Sequence, residues 1–351
     1  MKQYTQSEFF NKNCFDFIRY YAAFAVMLLH FTGYFYLTAV SPTQPELQAA
    51  HILHKVPVTA PPVVIFFCLS GFLAMASLSR AQSPIDYLKK RIFRLYPAIW
   101  LCTVINLIAV IILSEKAINV KQLIIWLITQ VFGIANTPDF FKSIATGSVN
   151  GPLWTIGVQI QFYIIFSLSY KYISKLKAIG WSIIFAVSLM ANIVCLVITT
   201  NVGADGVIGK LIERSFVPYL FFAIIGAFVY RYFEHVVPVL TKIWPVFLAA
   251  IIVISHKNLP DYGYYSGIIT VICTSLFFLG IGYLFKLRLK YDISYELFLY
   301  HWIVLNFIVF FDLYNKLSLG LCMALFFGAS ILLAIISHTL LNAILAVWSK
   351  K

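Results

Sequence analysis

Arg19 and His30 sit eleven residues apart within FDFIRYYAAFAVMLLHF, residues 15–31, a run otherwise apolar enough for hydrocarbon. On a helix that separation is about three turns and ~16 Å of rise, so both side chains project from nearly the same face. A guanidinium can grip an anion through paired hydrogen bonds, and an imidazole can take up or release a proton near neutrality. Carrying such a group to mid-membrane depth costs roughly 3 kcal/mol on insertion scales, so it normally faces a wet cavity or a partner. Each residue also has a plainer reading. Arg19 can snorkel to the headgroups with Asp16 one turn back as its partner. His30 can be a neutral imidazole hydrogen-bonded between helices.

Other segments add polar groups to the same membrane. RAQSPIDYLKKRIFRLYPAIW carries Arg80, Lys89, Lys90, Arg91 and Arg94 just before an apolar run. A cytoplasmic excess of positive charge explains their number but not the R-x-x-R spacing, which stacks Arg91 and Arg94 one turn apart, as suits phosphate oxygens. PLWTIGVQIQFYIIF holds Gln159 and Gln161, and YDISYELFLYHWIVLNF holds Glu296 and His301. A lone Glu296 reads as an acid stabilised by a helix N-terminus; several polar groups on different helices together imply a cavity. Basic at its cytoplasmic mouth and titratable at its floor, that cavity suits a polyphosphorylated ligand.

The elements that must position these residues follow from composition. The 351 residues are 61% hydrophobic and only 11% charged, with mean hydropathy +0.88, which excludes an ordinary soluble domain. Apolar stretches long enough to cross a bilayer as helices recur along the whole chain. They predict an all-α polytopic membrane protein with about ten spans near 18–38, 59–79, 96–114, 153–170, 179–200, 214–230, 239–255, 264–285, 293–311 and 318–348. The last exceeds one straight span and is expected to end as an interfacial extension. Residues 121–136, KQLIIWLITQVFGIAN, are expected to be a short interfacial or re-entrant segment.

Counting 121–136 as non-spanning places most of the 26 Lys and Arg on one side, from Lys2, Lys12 and Arg19 through the Arg80–Arg94 cluster to Lys350 and Lys351. Positive residues near helix ends favour the cytoplasm, so both termini are expected inside. The net charge of +13 is thereby a topology signal and not a nucleic-acid footprint. No small-residue cleavage site follows the first apolar run, so that helix is expected to be retained. The six cysteines fall one per segment without C-x-x-C spacing, pointing to neither a disulfide framework nor a metal site. Residues 41–62 read as an outer loop; His51 and His54 in it have helical ligand spacing but no third ligand nearby.

Five stretches in order carry a family resemblance. FDFIRYYAAFAVMLLH resembles the L-D-x-L-R-x-x-A-A opening with its R-x10-H pair of the bacterial membrane-bound acyltransferase 3 family. FFCLSGFLA is similar to its F-F-x-L-S-G-F-L, and KKRIFRLYPAIW to its R-x-x-R-x-Y-P. LWTIGVQIQFY is similar to its L-W-S-L-x-x-E-x-x-F-Y, and ISYELFLYHW to its I-S-Y-x-x-Y-L-x-H. The resemblance covers residues 15 to 302. It implies a single ten-helix acyltransferase domain over 1–351, without the C-terminal esterase-like domain that some members carry. It also implies a bacterial inner-membrane location and transfer of an acyl group, often acetyl from acetyl-CoA, to a hydroxyl of a surface-polysaccharide or lipid-linked sugar.

Such transfer needs a base for the hydroxyl proton, donors for the oxyanion and a grip on the CoA. On this expectation His30 is the general base, with Gln159, Glu296 and His301 in its catalytic group. Arg19, Arg91 and Arg94, with Lys89 and Lys90, hold CoA phosphates, and Ser70, Tyr163 or His301 polarises the carbonyl. No metal is expected. A covalent acyl-histidine route would use the same residues. Gln159 departs from the family, which usually has Glu there. A transporter or flippase with Arg, His and Glu along its substrate path is the rival reading, and an inactive relative a third.

Overall fold

The computed structural model describes residues 13–114 and 118–348. The polar leader through residue 12 and the basic positions Lys2, Lys12, Lys350 and Lys351 lie outside these. All regular structure among the described residues is helical. In chain order the helices are α1 (Phe15–Thr38), α2 (Gln44–Thr59), α3 (Pro62–Leu78), α4 (Pro84–Leu113), α5 (Val120–Val131), α6 (Leu153–Ile173) and α7 (Ala178–Val202). They continue as α8 (Val207–Glu213), α9 (Leu220–Arg231), α10 (Phe233–Lys257), α11 (Ile268–Ile281), α12 (Ser294–Phe310), α13 (Leu313–Lys316) and α14 (Leu319–Trp348).

Each expected span falls on a helix, but their lengths differ. Among the described residues, seven helical stretches are long and apolar enough to cross a membrane, with α2 and α3 together as Gln44–Leu78, and eight if the bent pair through α8 and α9 is one span. α11 and α12 are apolar but shorter, so the count of ten is approximate. α5 has twelve residues, a rise of ~18 Å against a hydrocarbon core of ~30 Å.

Two corrections concern loops. Residues 41–62, expected as a loop, contain helix α2, started by Thr43 and Glu46. The Glu46 carboxylate accepts from the Thr43 N–H at 3.0 Å, while the Thr43 hydroxyl faces the Glu46 N–H at 3.4 Å. This T-x-x-E pairing satisfies N–H groups that a helix start leaves over. Likewise the basic stretch before the third span is already helix. Ser83 Oγ accepts from the Asp86 N–H at 3.0 Å, and Pro84 occupies the first turn, so α4 begins about three turns ahead of the expected 96.

The chain divides into two compact units. One comprises Met1–Ala22, Thr59–Arg91 and Gly157–Lys290, the other Ala23–Val58, Ile92–Ile156 and Tyr291–Lys351. The boundaries between the units fall within helices α1, α2, α4 and α6 and just before α12.

Within the first unit, α3 packs on α9 through small residues. A Cβ on Gly71 would strike the Ala223 backbone carbonyl, and one on Gly226 the Cys68 carbonyl. Lipid tails are as apolar as leucine, so membrane helices associate by close van der Waals contact, which glycine permits. Asn192 on α7 is buried; its amide donates to the Pro218 carbonyl at 2.7 Å and accepts from the Tyr264 N–H at 3.0 Å. The six cysteines are buried and unbridged.

Within the second unit, α12 packs on α14, and the segment before α6 folds onto α12. Asn306 donates to the Ser148 and Val149 carbonyls at 3.1 and 3.2 Å and accepts from the Thr146 hydroxyl at 2.6 Å. Trp302 Nε1 donates to the Ser148 carbonyl at 3.0 Å. α5 buries Trp126 completely in a cluster with Val110, Leu113, Phe141, Ile144 and Val149. His54, expected to be solvated, shares a hydrogen bond of 2.8 Å with the Thr32 hydroxyl.

Gly71→Leu is expected to push α3 and α9 apart at a cost on the order of 1–3 kcal/mol. The check is a lower melting temperature of the detergent-solubilised protein, whereas Gly320→Leu, with open space at its Cβ position, leaves it unchanged.

Candidate active site

His30 on α1 and His301 on α12 belong to the second unit. His30 Nδ1 lies 3.0 Å from His301 Nε2, and the two rings are nearly parallel, 6° apart at a centroid separation of 5.2 Å. The edge of Trp302 closes on His30, centroids 4.8 Å apart at 85°. His301 is fully buried and His30 only partly.

Hydrogen bonding orders the protons on this pair. His301 Nδ1 lies 3.1 Å from the Leu297 carbonyl one turn back. A carbonyl can only accept, so Nδ1 of the neutral ring carries the hydrogen and Nε2 the lone pair. That lone pair accepts from Nδ1–H of His30, which leaves His30 Nε2 as the one basic nitrogen of the dyad. His30 is thus an imidazole bonded between helices and also a base with its tautomer set. His301, expected as a possible carbonyl polariser, has both nitrogens engaged and no N–H to offer.

Glu296 is not part of this dyad. It is five residues before His301, about 140° around the helix, and faces α14 instead. Its carboxylate is 5% exposed and accepts from His338 Nδ1 at 2.9 Å. One turn on, the Ser337 hydroxyl donates to the Tyr300 hydroxyl at 2.6 Å. His338 was missed in the sequence, although it is an ionisable residue inside an apolar run, AIISHTLL, the same signal that singles out His30.

The first unit holds the remaining expected residues apart from Arg94. Ser70 Oγ shares its hydrogen between the Phe66 carbonyl and Gln159 Oε1, both at 2.6 Å. Gln161, two residues on, serves the backbone: it donates to the Arg214 carbonyl at 2.8 Å and accepts from the Phe216 N–H at 2.9 Å. Arg91 lies 5.4 Å from the ring centroids of both Tyr87 and Tyr163 and reaches the Leu73 carbonyl at 3.4 Å. A cation–π contact uses the charge and not the N–H hydrogens, so the guanidinium keeps donors for other acceptors. Lys89, Lys90 and Arg94 are exposed, and Lys90 pairs with Asp86 at 3.0 Å. Arg19 forms an ion pair with Asp16, whose other oxygen accepts from the Leu289 N–H at 3.2 Å.

Residues 12–340 match the profile of the acyltransferase 3 family, described as an acyltransferase domain. The chain belongs to the acyltransferase 3 family. It is similar to an O-acetyl transferase of Shigella phage Sf6, 28% identical over 181 residues, which are 50% of this chain and 51% of the relative. It is also similar to nodulation protein 10 of Rhizobium leguminosarum bv. viciae, 23% identical over 197 residues, 52% of this chain and 50% of the relative. The chain thus spans about half the length of the curated relatives it matches. No solved structure matches.

Membership assigns acyl transfer at the level of the family and agrees with the multi-pass helical architecture. In this member of the family the departure at Gln159 has a defined partner. An amide oxygen holds the Ser70 hydrogen, and a carboxylate would accept the same hydrogen more strongly. Gln159→Glu is therefore expected to preserve or raise acyl transfer, while Gln159→Leu, which removes the acceptor, lowers it. Product formation per folded enzyme is the measurement.

Proposed function

We propose that this protein is a membrane-bound O-acyltransferase that moves an acyl group, acetyl in the simplest case, from acyl-CoA to a hydroxyl of a surface-polysaccharide or lipid-linked sugar. The observation that carries the reading is the lone pair on His30 Nε2, left over once Leu297, His301 and His30 have assigned every other proton of the dyad. Family membership and the O-acetyl transferase relative support the reaction class.

In the proposed reaction the acceptor hydroxyl gives its proton to His30 Nε2 as its oxygen bonds to the thioester carbonyl carbon. The tetrahedral oxyanion then re-forms the carbonyl and breaks the C–S bond. The departing sulfur takes the proton back from His30, so CoA leaves as the thiol and the dyad returns to its starting state. While His30 is an imidazolium, its Nδ1–H still donates to His301, so the charge has a fixed partner. Arg91, with Arg19, Arg94, Lys89 and Lys90, binds CoA phosphates; the cation–π contacts with Tyr87 and Tyr163 limit where the Arg91 guanidinium lies. The Lys and Arg distribution supports a bacterial inner-membrane location with both termini cytoplasmic.

Purified protein in lipid nanodiscs, given labelled acetyl-CoA and a polysaccharide acceptor, is expected to put label into the acceptor as an ester. His30→Ala should insert and fold but lose about 10²–10⁴-fold in kcat; retained activity removes the imidazole from the reaction. Arg91→Ala should weaken acyl-CoA binding roughly tenfold, the worth of about one charge-assisted hydrogen bond, measured by equilibrium titration. Movement of a substrate across the membrane with no acylation would support a transporter instead.

A further inference from the structure

Trp302 follows His301 directly on α12, and the proposed proton transfer does not use it. It is nevertheless the ring that stands against the dyad. The His30 and His301 rings lie 6° from parallel, with centres 5.2 Å apart and bonded nitrogens 3.0 Å apart. Two ring radii fill the difference, so the hydrogen bond runs close to the line of centres and the imidazoles are nearly coplanar. The indole meets His30 at 85° and His301 at 80°, with centroids 4.8 and 6.4 Å away. It is a wall set across the plane that the two imidazoles share.

That wall matters because of what the hydrogen bond leaves soft. A bond along the line of centres resists pulling the rings apart but scarcely resists rocking His30 about that line. His30 Nε2 lies off the line, so rocking swings its lone pair away from an incoming hydroxyl. The same motion drives the His30 ring into the indole.

Trp302 is itself fixed at both ends. Its Nε1–H donates to the Ser148 carbonyl at 3.0 Å. Its six-membered ring lies on Gly151, where a Cβ would sit 2.5 Å from Cζ2 and 2.6 Å from Cη2. Residues 146–151 are in turn tied to both helices of the dyad. Asn306, one turn beyond Trp302, donates to the Ser148 and Val149 carbonyls. Tyr34, one turn beyond His30, donates to the Thr146 carbonyl at 2.9 Å, and its ring meets the indole at 88°. All of these residues belong to the second unit.

We infer that Trp302 is a positioning residue that aims the His30 Nε2 lone pair, and that Gly151 gives the indole its seat. Glycine lets the loop backbone come this close; a side chain at 151 must displace the wall. This inference rests on the reading of His30 as general base.

The test uses the full chain in nanodiscs with acetyl-CoA and a polysaccharide acceptor, with size-exclusion profile and melting temperature as fold controls. Trp302→Leu is expected to lower kcat about tenfold or more with KM for acetyl-CoA unchanged. Trp302→Phe keeps a flat ring, though not the bond to Ser148, and should recover part of that loss. Gly151→Ala should lower kcat about threefold or more, whereas Gly320→Ala, with open space at its Cβ position, leaves it as in the parent. Because Gly151 acts through Trp302, the double variant is expected to lose no more than Trp302→Leu alone. Unchanged kcat in Trp302→Leu, equal loss in the Leu and Phe variants, or a loss confined to KM would overturn the role of Trp302, and additive losses that of Gly151. If Trp302→Leu does not fold, Trp302→Phe and Gly151→Ala carry the test, and parental kcat in both overturns it. His30→Ala, assayed alongside, separates the two claims. If it stays active, the base assignment fails and this role with it; if it is inactive while Trp302→Leu keeps its kcat, the positioning role fails alone.

Discussion

Hydrocarbon supplies no hydrogen-bond partner, so each polar side chain carried into a membrane must find one within the protein. The second unit satisfies this almost pair by pair. Leu297 takes His301, His301 takes His30, Glu296 takes His338, Tyr300 takes Ser337, and Asn306 and Trp302 take the Ser148 carbonyl. In the histidine dyad a single lone pair is left, on His30 Nε2.

The same constraint shapes the first unit differently. There the helices approach closely at Gly71 and Gly226, and the polar groups are short clasps between neighbours: Ser70 with Gln159, Gln161 with the 214–216 backbone, Asn192 with Pro218 and Tyr264. The guanidinium of Arg91 makes cation–π contacts with the Tyr87 and Tyr163 rings.

Local signals in the sequence were more informative than a hydropathy reading alone allows. T-Q-P-E at 43–46 and S-P-I-D at 83–86 are helix-start patterns, and both begin helices where loops were expected, because polar composition outweighed capping chemistry in placing those boundaries. The short helix α11 shows the opposite error. Apolar residues continue past its end, but the turn at 282–284 stops the helix before the hydropathy falls. His338 was legible as an ionisable residue in an apolar run; its link to Glu296 was not, since 42 residues separate the two.

By itself the sequence determined the all-helical membrane class, the approximate places of the spans and the family. These depend on composition, period and short motifs, which are local properties. Only the tertiary structure decided partnership: that His30 meets His301 and Glu296 does not, that Arg91 meets both Tyr87 and Tyr163, and that His338 on α14 meets Glu296 in the first turn of α12. The reason is directional. A hydrogen bond is made or lost within about 1 Å and some tens of degrees, and along a helix each residue turns the side chain by about 100°. Which neighbour stands in that direction is settled by packing between segments far apart in the chain, and so is the position of the one nitrogen left able to accept a proton.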